Sequence, residues 1–287
     1  MKRFEYHEPA SLEEASRLLA ELGATAQVLA GGTDLLVEIR EHLRPVTHVV
    51  NIKRIPGLRD FACDDAQGLR VGALITAREV ETSPQVARLF PNLVSAVGQL
   101  GSIQVRNRAT VVGNICRASP SADTLPPLIA DGARLSVFNG NGERSIALEE
   151  FFTGPGRTVL RPGEIVTGIS VPPPGAHSGR AYIKHGRRKA MELATVGVAV
   201  TLEREAGHCR EIRIALGAVA PTPIRAREAE ALLRGEAFTP ERVAAVAEAA
   251  MTESTPISNV RASAEYRREM VGVLTRRAIT LAMEAIQ

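Results

Sequence analysis

Apolar and polar positions along this chain fall into short periodic blocks that predict helices mixed with strands. The first helix has the most complete pattern. Ser11 and Glu14 have capping-box spacing, and an apolar stripe with helical spacing runs from Ala15 to Leu22 and ends at Gly23. We therefore expect a helix to open the fold.

Further blocks predict both kinds of element up to position 171. Thr76 and Glu79 are spaced to cap a helix, and residues 139–142 (Asn-Gly-Asn-Gly) predict a hairpin turn. Strands are predicted at residues 27–30, 47–52, 69–73, 134–138 and 165–171, and further helices at 34–43, 84–99 and 123–131.

A proline triplet followed by glycine, residues 172–175, predicts a domain boundary, because consecutive prolines cannot continue a sheet. Beyond it, strands are predicted at residues 181–184, 195–203 and 211–219, and helices at 225–233, 240–251 and 262–286. We interpret the chain as an α+β protein with an N-terminal domain at 1–175. A small C-terminal domain at 176–287 carries a three-stranded antiparallel sheet and helices.

The composition excludes several classes of function. Aromatic residues make up 3% of the chain, tryptophan is absent and the net charge of +3 is dispersed, which argues against nucleic-acid binding. No signal peptide is expected from the polar start Met1-Lys2-Arg3, and no apolar run approaches the roughly 20 residues that span a bilayer. Three scattered cysteines without a CxxC pair fit a cytoplasmic protein with no iron–sulfur or zinc site of its own.

Two short glycine loops carry the strongest chemical signal. The first loop is residues 28–34 (Val-Leu-Ala-Gly-Gly-Thr-Asp) and the second loop is residues 109–114 (Ala-Thr-Val-Val-Gly-Asn). Each is expected at the mouth of a strand, where glycine exposes backbone N–H groups that can solvate a phosphate. Two such loops, far apart in sequence, suggest that they jointly bind a pyrophosphate. The alternative is that the glycines only make turns and that the Thr and Asn side chains cap helices.

Other signatures are missing. The chain has no GxxxxGK[ST] sequence, no strand-borne GxGxxG and no GxSxG, and its six histidines never occur with HxxxH spacing. These absences argue against a Walker or Rossmann nucleotide site, a serine nucleophile and a metal site in this chain. Redox or transfer chemistry would then require a bound organic cofactor.

Three segments resemble the FAD-binding subunit of molybdenum hydroxylases: residues 28–35, 104–114 and 118–123. That family includes the medium subunits of xanthine dehydrogenase, carbon monoxide dehydrogenase and 4-hydroxybenzoyl-CoA reductase. The resemblance covers essentially the whole chain. It implies a FAD-binding domain of the PCMH type, with lobes at about 1–53 and 54–175, before the C-terminal domain. It also implies FAD as the only cofactor of this chain, since no cysteine-rich insertion is present.

The resemblance also implies which residues bind the cofactor. Val112 departs from the family's second loop, where a glycine is usual, and the basic segment at residues 187–192 is similar to a family segment. The implied cofactor-binding residues are Val28, Leu29, Ala30, Gly31, Gly32, Thr33, Asp34, Leu35, Leu100, Thr110, Val111, Gly113, Asn114, Asp123, Val166 and Lys184.

The resemblance implies an electron-transfer role. FAD in this chain would exchange electrons between 2Fe-2S clusters of a small partner subunit and an external acceptor, while a large partner carries the molybdenum cofactor. A dimer of heterotrimers is the expected assembly, and no catalytic residue is expected in this chain. Two alternatives stay open: a self-sufficient FAD-dependent oxidoreductase acting on a small organic substrate, and a docking subunit that has lost FAD.

Overall fold

A computed structural model describes residues 3–188 and 190–286, so Met1, Lys2 and Lys189 of the segments noted above lie outside the described residues. The helices are α1 (Leu12–Leu22), α2 (Leu35–Arg40), α3 (Ala77–Glu81), α4 (Pro84–Leu89), α5 (Pro91–Gly98), α6 (Ile103–Arg106), α7 (Val111–Arg117), α8 (Leu125–Ala130), α9 (Arg227–Ala231), α10 (Pro240–Glu253) and α11 (Ala264–Glu284). The strands are β1 (Glu5–His7), β2 (Ala26–Leu29), β3 (His48–Asn51), β4 (Phe61–Asp64), β5 (Gly68–Gly72), β6 (Arg134–Phe138), β7 (Glu143–Ala147), β8 (Phe152–Gly154), β9 (Arg157–Thr158), β10 (Ile165–Val171), β11 (Ser178–His185), β12 (Val196–Glu205), β13 (His208–Gly217) and β14 (Ile224–Arg225).

The first sheet is parallel, with strand order β1-β3-β2, and α1 and α2 make its crossovers. The helix signal at Ser11 is confirmed, since its hydroxyl accepts a hydrogen bond from the Glu14 amide at 3.2 Å. The Glu14 carboxylate accepts from the Ala10 amide at 2.8 Å, one residue before the expected Ser11 amide. One unpaired amide of α1 and one amide just before the helix are thereby satisfied.

The second sheet is antiparallel, with strand order β4-β5-β10-β6-β7, and its core is continuous with that of the first sheet. The full capping box at Thr76 and Glu79 is present and starts α3. The Asn-Gly-Asn-Gly turn joins β6 to β7 as predicted. A buried hydrogen bond from the Ser16 hydroxyl to the Gly163 carbonyl, 2.8 Å long, ties α1 to this sheet.

The single helix predicted at residues 84–99 is wrong, because the structure divides it into α4 and α5. Phe90 lies between them with φ −133° and ψ 58°, outside the helical region. Pro91 explains the break, since its ring disfavours a helical conformation in the residue before it. Pro91 then begins α5, where a missing N–H has no cost.

The C-terminal sheet has one strand more than predicted. Its order is β11-β12-β13-β14, all antiparallel, and β14 is the two-residue strand Ile224–Arg225. A strand this short carries no periodicity of its own. Its pairing with Ala215 and Leu216 of β13 depends on the tertiary fold. Helices α10 and α11 pack together, and α11 covers β11 and β12.

The two parts of the chain share buried surface. Tyr182, Ala199 and Ala215 of the C-terminal sheet belong to the main core cluster that contains the second sheet. The boundary at 175/176 and the lobe division near 53 stay predictions. Among the described helices, none combines the length and apolar character needed to cross a membrane.

Candidate functional site

The first and second loops lie directly against each other. Gly31 packs on the backbone of the second loop so closely that a Cβ added to it would overlap the carbonyl oxygen of Arg108. Only glycine permits this approach. The two loops, about 80 residues apart in sequence, therefore form one site.

A cleft of about 120 Å³ opens between the loops, and we call it the phosphate cleft. Its lining residues are Ala30, Gly31, Lys53, Arg59, Leu74, Thr76, Asn107, Arg108 and Thr110.

The first loop offers a run of backbone donors. Within the described part of the chain, the amides of residues 31–35 have no hydrogen-bond acceptor. Gly32 has φ +78°, a left-handed conformation that favours glycine, and a Cβ there would lie 2.9 Å from Leu29. Consecutive unpaired amides in a concave turn fit an anion such as a diphosphate.

The second loop differs from expectation, because it follows helix α6 and not a strand. Thr110 is the N-cap of α7, and its hydroxyl accepts from the Gly113 amide at 2.9 Å. The Gly113 amide is thus occupied inside the protein. The prediction that Thr caps a helix here is confirmed, and it coexists with Thr110 lining the phosphate cleft.

Val112 does not block the cleft. Its side chain is buried in the main core with 3% exposed, and its amide has no acceptor among the described residues. The Val112 amide therefore has no protein acceptor among the described residues, although Val112 itself does not line the phosphate cleft.

Three cations that line the phosphate cleft, Lys53, Arg59 and Arg108, were not predicted from the sequence. Partial burial lowers the pKa of Lys53, and the nearby Arg108 guanidinium lowers it further, while Glu8 opposes this. The positive charges of Lys53 and Arg108 repel each other, so an anionic ligand bound between them would be stabilised. The signal available in sequence was a lysine just after β3 and an arginine just before the second loop, and neither is specific by itself.

An ion pair joins α2, which follows the first loop, to α7, which begins inside the second loop. The Glu38 carboxylate of α2 is 2.9 Å from an Arg117 nitrogen at the end of α7 and 3.0 Å from Arg44. Asp34 lies 4.0 Å from Arg117. The buried Glu38 side chain therefore links α2 to α7.

Helix α7 leads from this cleft to a second group of predicted residues. Asn114, one turn after Thr110, accepts a hydrogen bond from the Thr124 hydroxyl at 2.6 Å. Asp123, next along the chain, is 2.8 Å from the Lys184 ammonium and accepts from the Tyr182 hydroxyl at 3.1 Å. These hydrogen bonds connect α7, the segment just before α8, and β11.

The Asp123–Lys184 pair is buried, with 7% of each side chain exposed. The Lys184 ammonium also donates to the carbonyls of Gln99, at 3.2 Å, and Glu192, at 2.7 Å. All three of its N–H groups therefore have protein acceptors. Burial raises the pKa of Asp123 although Lys184 opposes it, and burial raises the pKa of Tyr182 well above its ordinary value.

A second cavity of about 370 Å³ lies beside Lys184, and we call it the basic pocket. Its lining residues are Gln99, Lys184, His185, Gly186, Arg187, Arg188, Ala190 and Glu192. Arg188 is 3.1 Å from the buried Glu192 carboxylate. The pocket is polar and open to solvent.

Several predicted site residues have side chains that are buried in the core, so only their backbone could contact a cofactor. Val111 and Val166 have 1% and 4% of their surface exposed, and both belong to the main core. The remaining apolar predictions pack in or against core clusters in the same way: Val28, Leu29 and Leu35. Leu100 adjoins Gln99, and its carbonyl accepts from Arg106 at 3.0 Å. Among the predicted residues, Ala30, Gly31 and Thr110 line the phosphate cleft, and Lys184 lines the basic pocket. Asn114 and Asp123 line neither cavity, and the Val166 side chain also lies apart from both.

Comparison with known proteins identifies the family. Residues 2–174 match the family described as FAD binding domain in molybdopterin dehydrogenase, and residues 181–282 match the CO dehydrogenase flavoprotein C-terminal domain. The chain belongs to the family of FAD-binding subunits of molybdenum hydroxylases. It is an oxidoreductase subunit with a FAD-binding domain.

Relatives match over nearly their full length. The xanthine dehydrogenase FAD-binding subunit of Escherichia coli O157:H7 is 34% identical over 98% of this chain and 96% of that protein. The carbon monoxide dehydrogenase medium chain of Hydrogenophaga pseudoflava is 36% identical over 98% and 97%. The structure of carbon monoxide dehydrogenase from Hydrogenophaga pseudoflava that lacks the Mo-pyranopterin moiety superposes with TM-score 0.95 and 37% identity, covering 100% of this chain and 99% of that one. This FAD-binding subunit therefore shares the complete two-part architecture of those proteins.

Proposed function

We propose that this FAD-binding subunit holds the diphosphate of FAD in the phosphate cleft, and that it passes electrons between a partner's iron–sulfur clusters and an external acceptor. The observation that carries the first part is the contact of the two glycine loops around unpaired amides. FAD itself supplies one- and two-electron redox chemistry when bound.

The phosphate cleft fits a diphosphate in both shape and charge. The amides of residues 31–35 can donate to phosphate oxygens, and Lys53 and Arg108 contribute positive charge. A charge-assisted hydrogen bond contributes about 1.5–3 kcal/mol net. Four or five of them approach the roughly −12 kcal/mol of a nanomolar complex, which one loop alone would not reach.

The remainder of the dinucleotide would extend along α7 toward the Asp123–Lys184 pair. Asn114 is three residues beyond the first residue of α7, and a helix rises about 1.5 Å per residue. Because Lys184 donates to three protein acceptors, its role is to fix Asp123 and the wall of the basic pocket. The solvent-open basic pocket gives an external acceptor a way to approach this end.

The electron-transfer part of the proposal requires partners. Family membership supports a complex with a small 2Fe-2S subunit and a large molybdenum-cofactor subunit, arranged as a dimer of heterotrimers in the cytoplasm. The described residues contain no group suited to oxidise a substrate directly without FAD.

The proposed cofactor site can be tested with a substitution that forces the two loops apart. In Gly31→Ala the new Cβ meets the Arg108 carbonyl, so the loops must separate. We expect FAD affinity to fall at least about tenfold, or about 1.4 kcal/mol, measured by flavin fluorescence titration of the apoprotein. Gly154→Ala is the matched control, since its Cβ would meet nothing closer than 3.9 Å.

Unchanged FAD affinity in Gly31→Ala, with Gly154→Ala also unchanged, would refute the diphosphate site. The electron-transfer role is tested separately, on the native complex. Its absorption spectrum, iron and molybdenum content and subunits should show 2Fe-2S clusters and molybdenum on other chains. Turnover of a small organic substrate by the isolated FAD-loaded chain would instead favour a self-sufficient oxidoreductase. An intact apoprotein that cannot take up FAD would favour a docking subunit.

A further inference from the structure

Three potential metal ligands lie together on one face of the first sheet, away from the loops. Glu5 and His7 are two residues apart on β1, so their side chains leave the same face of the strand. His48 of β3 is the register partner of Glu5 in this parallel pair. His7 and His48 are 41 residues apart and lie on different strands, so no HxxxH spacing in the sequence marks this cluster.

The donor atoms converge at distances suited to a metal ion. His7 Nε2 is 3.2 Å from His48 Nδ1, and a Glu5 carboxylate oxygen is 3.4 Å from the same Nδ1. All three atoms lie within 4.8 Å of one another. Ligands at about 2.0–2.1 Å from a tetrahedral zinc ion are separated by about 3.3 Å, which these distances match.

Hydrogen bonds among His7 Nε2, His48 Nδ1 and the Glu5 carboxylate oxygen cannot pair all three atoms at once. A neutral imidazole carries one proton on its two nitrogens, so one proton on His48 Nδ1 can serve His7 or Glu5 but not both. Among the described residues, no lysine or arginine forms an ion pair with Glu5. A cation at the point of convergence would accept all three electron pairs at once.

We propose that Glu5, His7 and His48 bind a divalent transition-metal ion, with Zn²⁺ as the reference case. Two imidazoles and one carboxylate favour Zn²⁺, Cu²⁺ or Ni²⁺ over Mg²⁺ and Ca²⁺, which prefer all-oxygen sites. Three protein ligands leave a fourth position for water. The ion would link the short edge strand β1 to β3. This metal site is independent of FAD binding.

Calorimetric titration of the full, untagged chain with Zn²⁺ tests the site. We expect one equivalent to bind to the wild type, and His7→Gln and His48→Gln each to weaken binding at least about tenfold, which is about 1.4 kcal/mol. Binding should also weaken in mildly acidic solution, because imidazole ligates only in its neutral form. With Cu²⁺ as a second probe, the electron paramagnetic resonance spectrum should show coupling to two imidazole nitrogens in the wild type.

His208→Gln is the matched control, because His208 is exposed on the C-terminal sheet and distant in sequence from the cluster. It should bind Zn²⁺ as the wild type does. Equal Zn²⁺ affinity in the wild type, His7→Gln and His48→Gln would overturn the proposal, as would loss of binding in His208→Gln alone. Circular dichroism of each variant separates loss of a ligand from loss of the fold.

Discussion

At the scale of single residues, the Asp123–Lys184 pair shows that a predicted cofactor-binding position also has a structural role. Both side chains are buried, and Lys184 donates to Asp123 and to two backbone carbonyls. A buried ion pair contributes little net stability compared with apolar residues, yet removal of one partner leaves an uncompensated charge. The pair therefore constrains any substitution at this site.

We predict that Asp123→Asn lowers the free energy of unfolding of the apoprotein by about 3–5 kcal/mol, because Lys184 keeps its charge without a carboxylate. The double variant Asp123→Asn/Lys184→Met should recover part of this loss. Urea unfolding followed by circular dichroism measures both. A loss below about 1 kcal/mol in Asp123→Asn would contradict the assignment of Lys184 as a buried cation that needs this partner.

At the scale of elements, the Glu38–Arg117 ion pair joins α2 to α7. Glu38 keeps a second partner, Arg44, at 3.0 Å, so α2 stays anchored when Arg117 is removed. Because the first loop leads into α2 and the second loop contains the start of α7, we expect loss of the ion pair to shift the two loops relative to each other. Removing Arg117 should therefore affect cofactor binding more than the stability of the fold.

We predict that Arg117→Met weakens FAD binding about tenfold while the free energy of unfolding of the apoprotein falls by only about 1 kcal/mol. Arg40→Met is the control, since Arg40 pairs with Glu41 on the surface with more than half of each side chain exposed. Flavin titration and urea unfolding of the same preparations give both quantities. Equal FAD affinity in the two variants would show that the pair does not position the two loops.

At the scale of the whole molecule, Asp131 connects the C-terminal sheet to the rest of the protein. Its carboxylate accepts from Asn92 at 2.8 Å, from Arg180 at 2.9 Å and from Thr201 at 2.6 Å. The side chains of Asp131 and Arg180 are 1% and 8% exposed. Groups from α5, β11 and β12 therefore meet at the end of α8.

We predict that Asp131→Ala lowers the free energy of unfolding by about 3–5 kcal/mol, because Arg180 and Asn92 lose their buried acceptor. Proteolysis near residues 172–175 should become faster as the C-terminal sheet loosens. Asp65→Ala is the control, because Asp65 pairs with Arg88 on the surface and should cost less than about 1 kcal/mol. Similar losses in the two variants would contradict a special role for Asp131.

Local signals explain which elements could be predicted. The cap at Ser11, the capping box at Thr76 and the Asn-Gly-Asn-Gly turn act within four residues, and all three have the predicted structure. Pro91 is also a local signal, and its effect on the preceding residue outweighs the apolar periodicity that continues across it. Strand β14 had no local signal, because two residues pair only where a neighbouring strand already lies.

The sequence by itself determined the local structure of this protein, its glycine loops and the family to which it belongs, since these depend on residues close together in the chain. Tertiary structure alone decided that Gly31 packs on Arg108, that Lys53 faces the same cleft and that Lys184 has three acceptors. The physical reason is that such contacts join segments tens of residues apart. Their positions follow from how the sheets and helices pack together, and no periodicity in the chain encodes that packing directly.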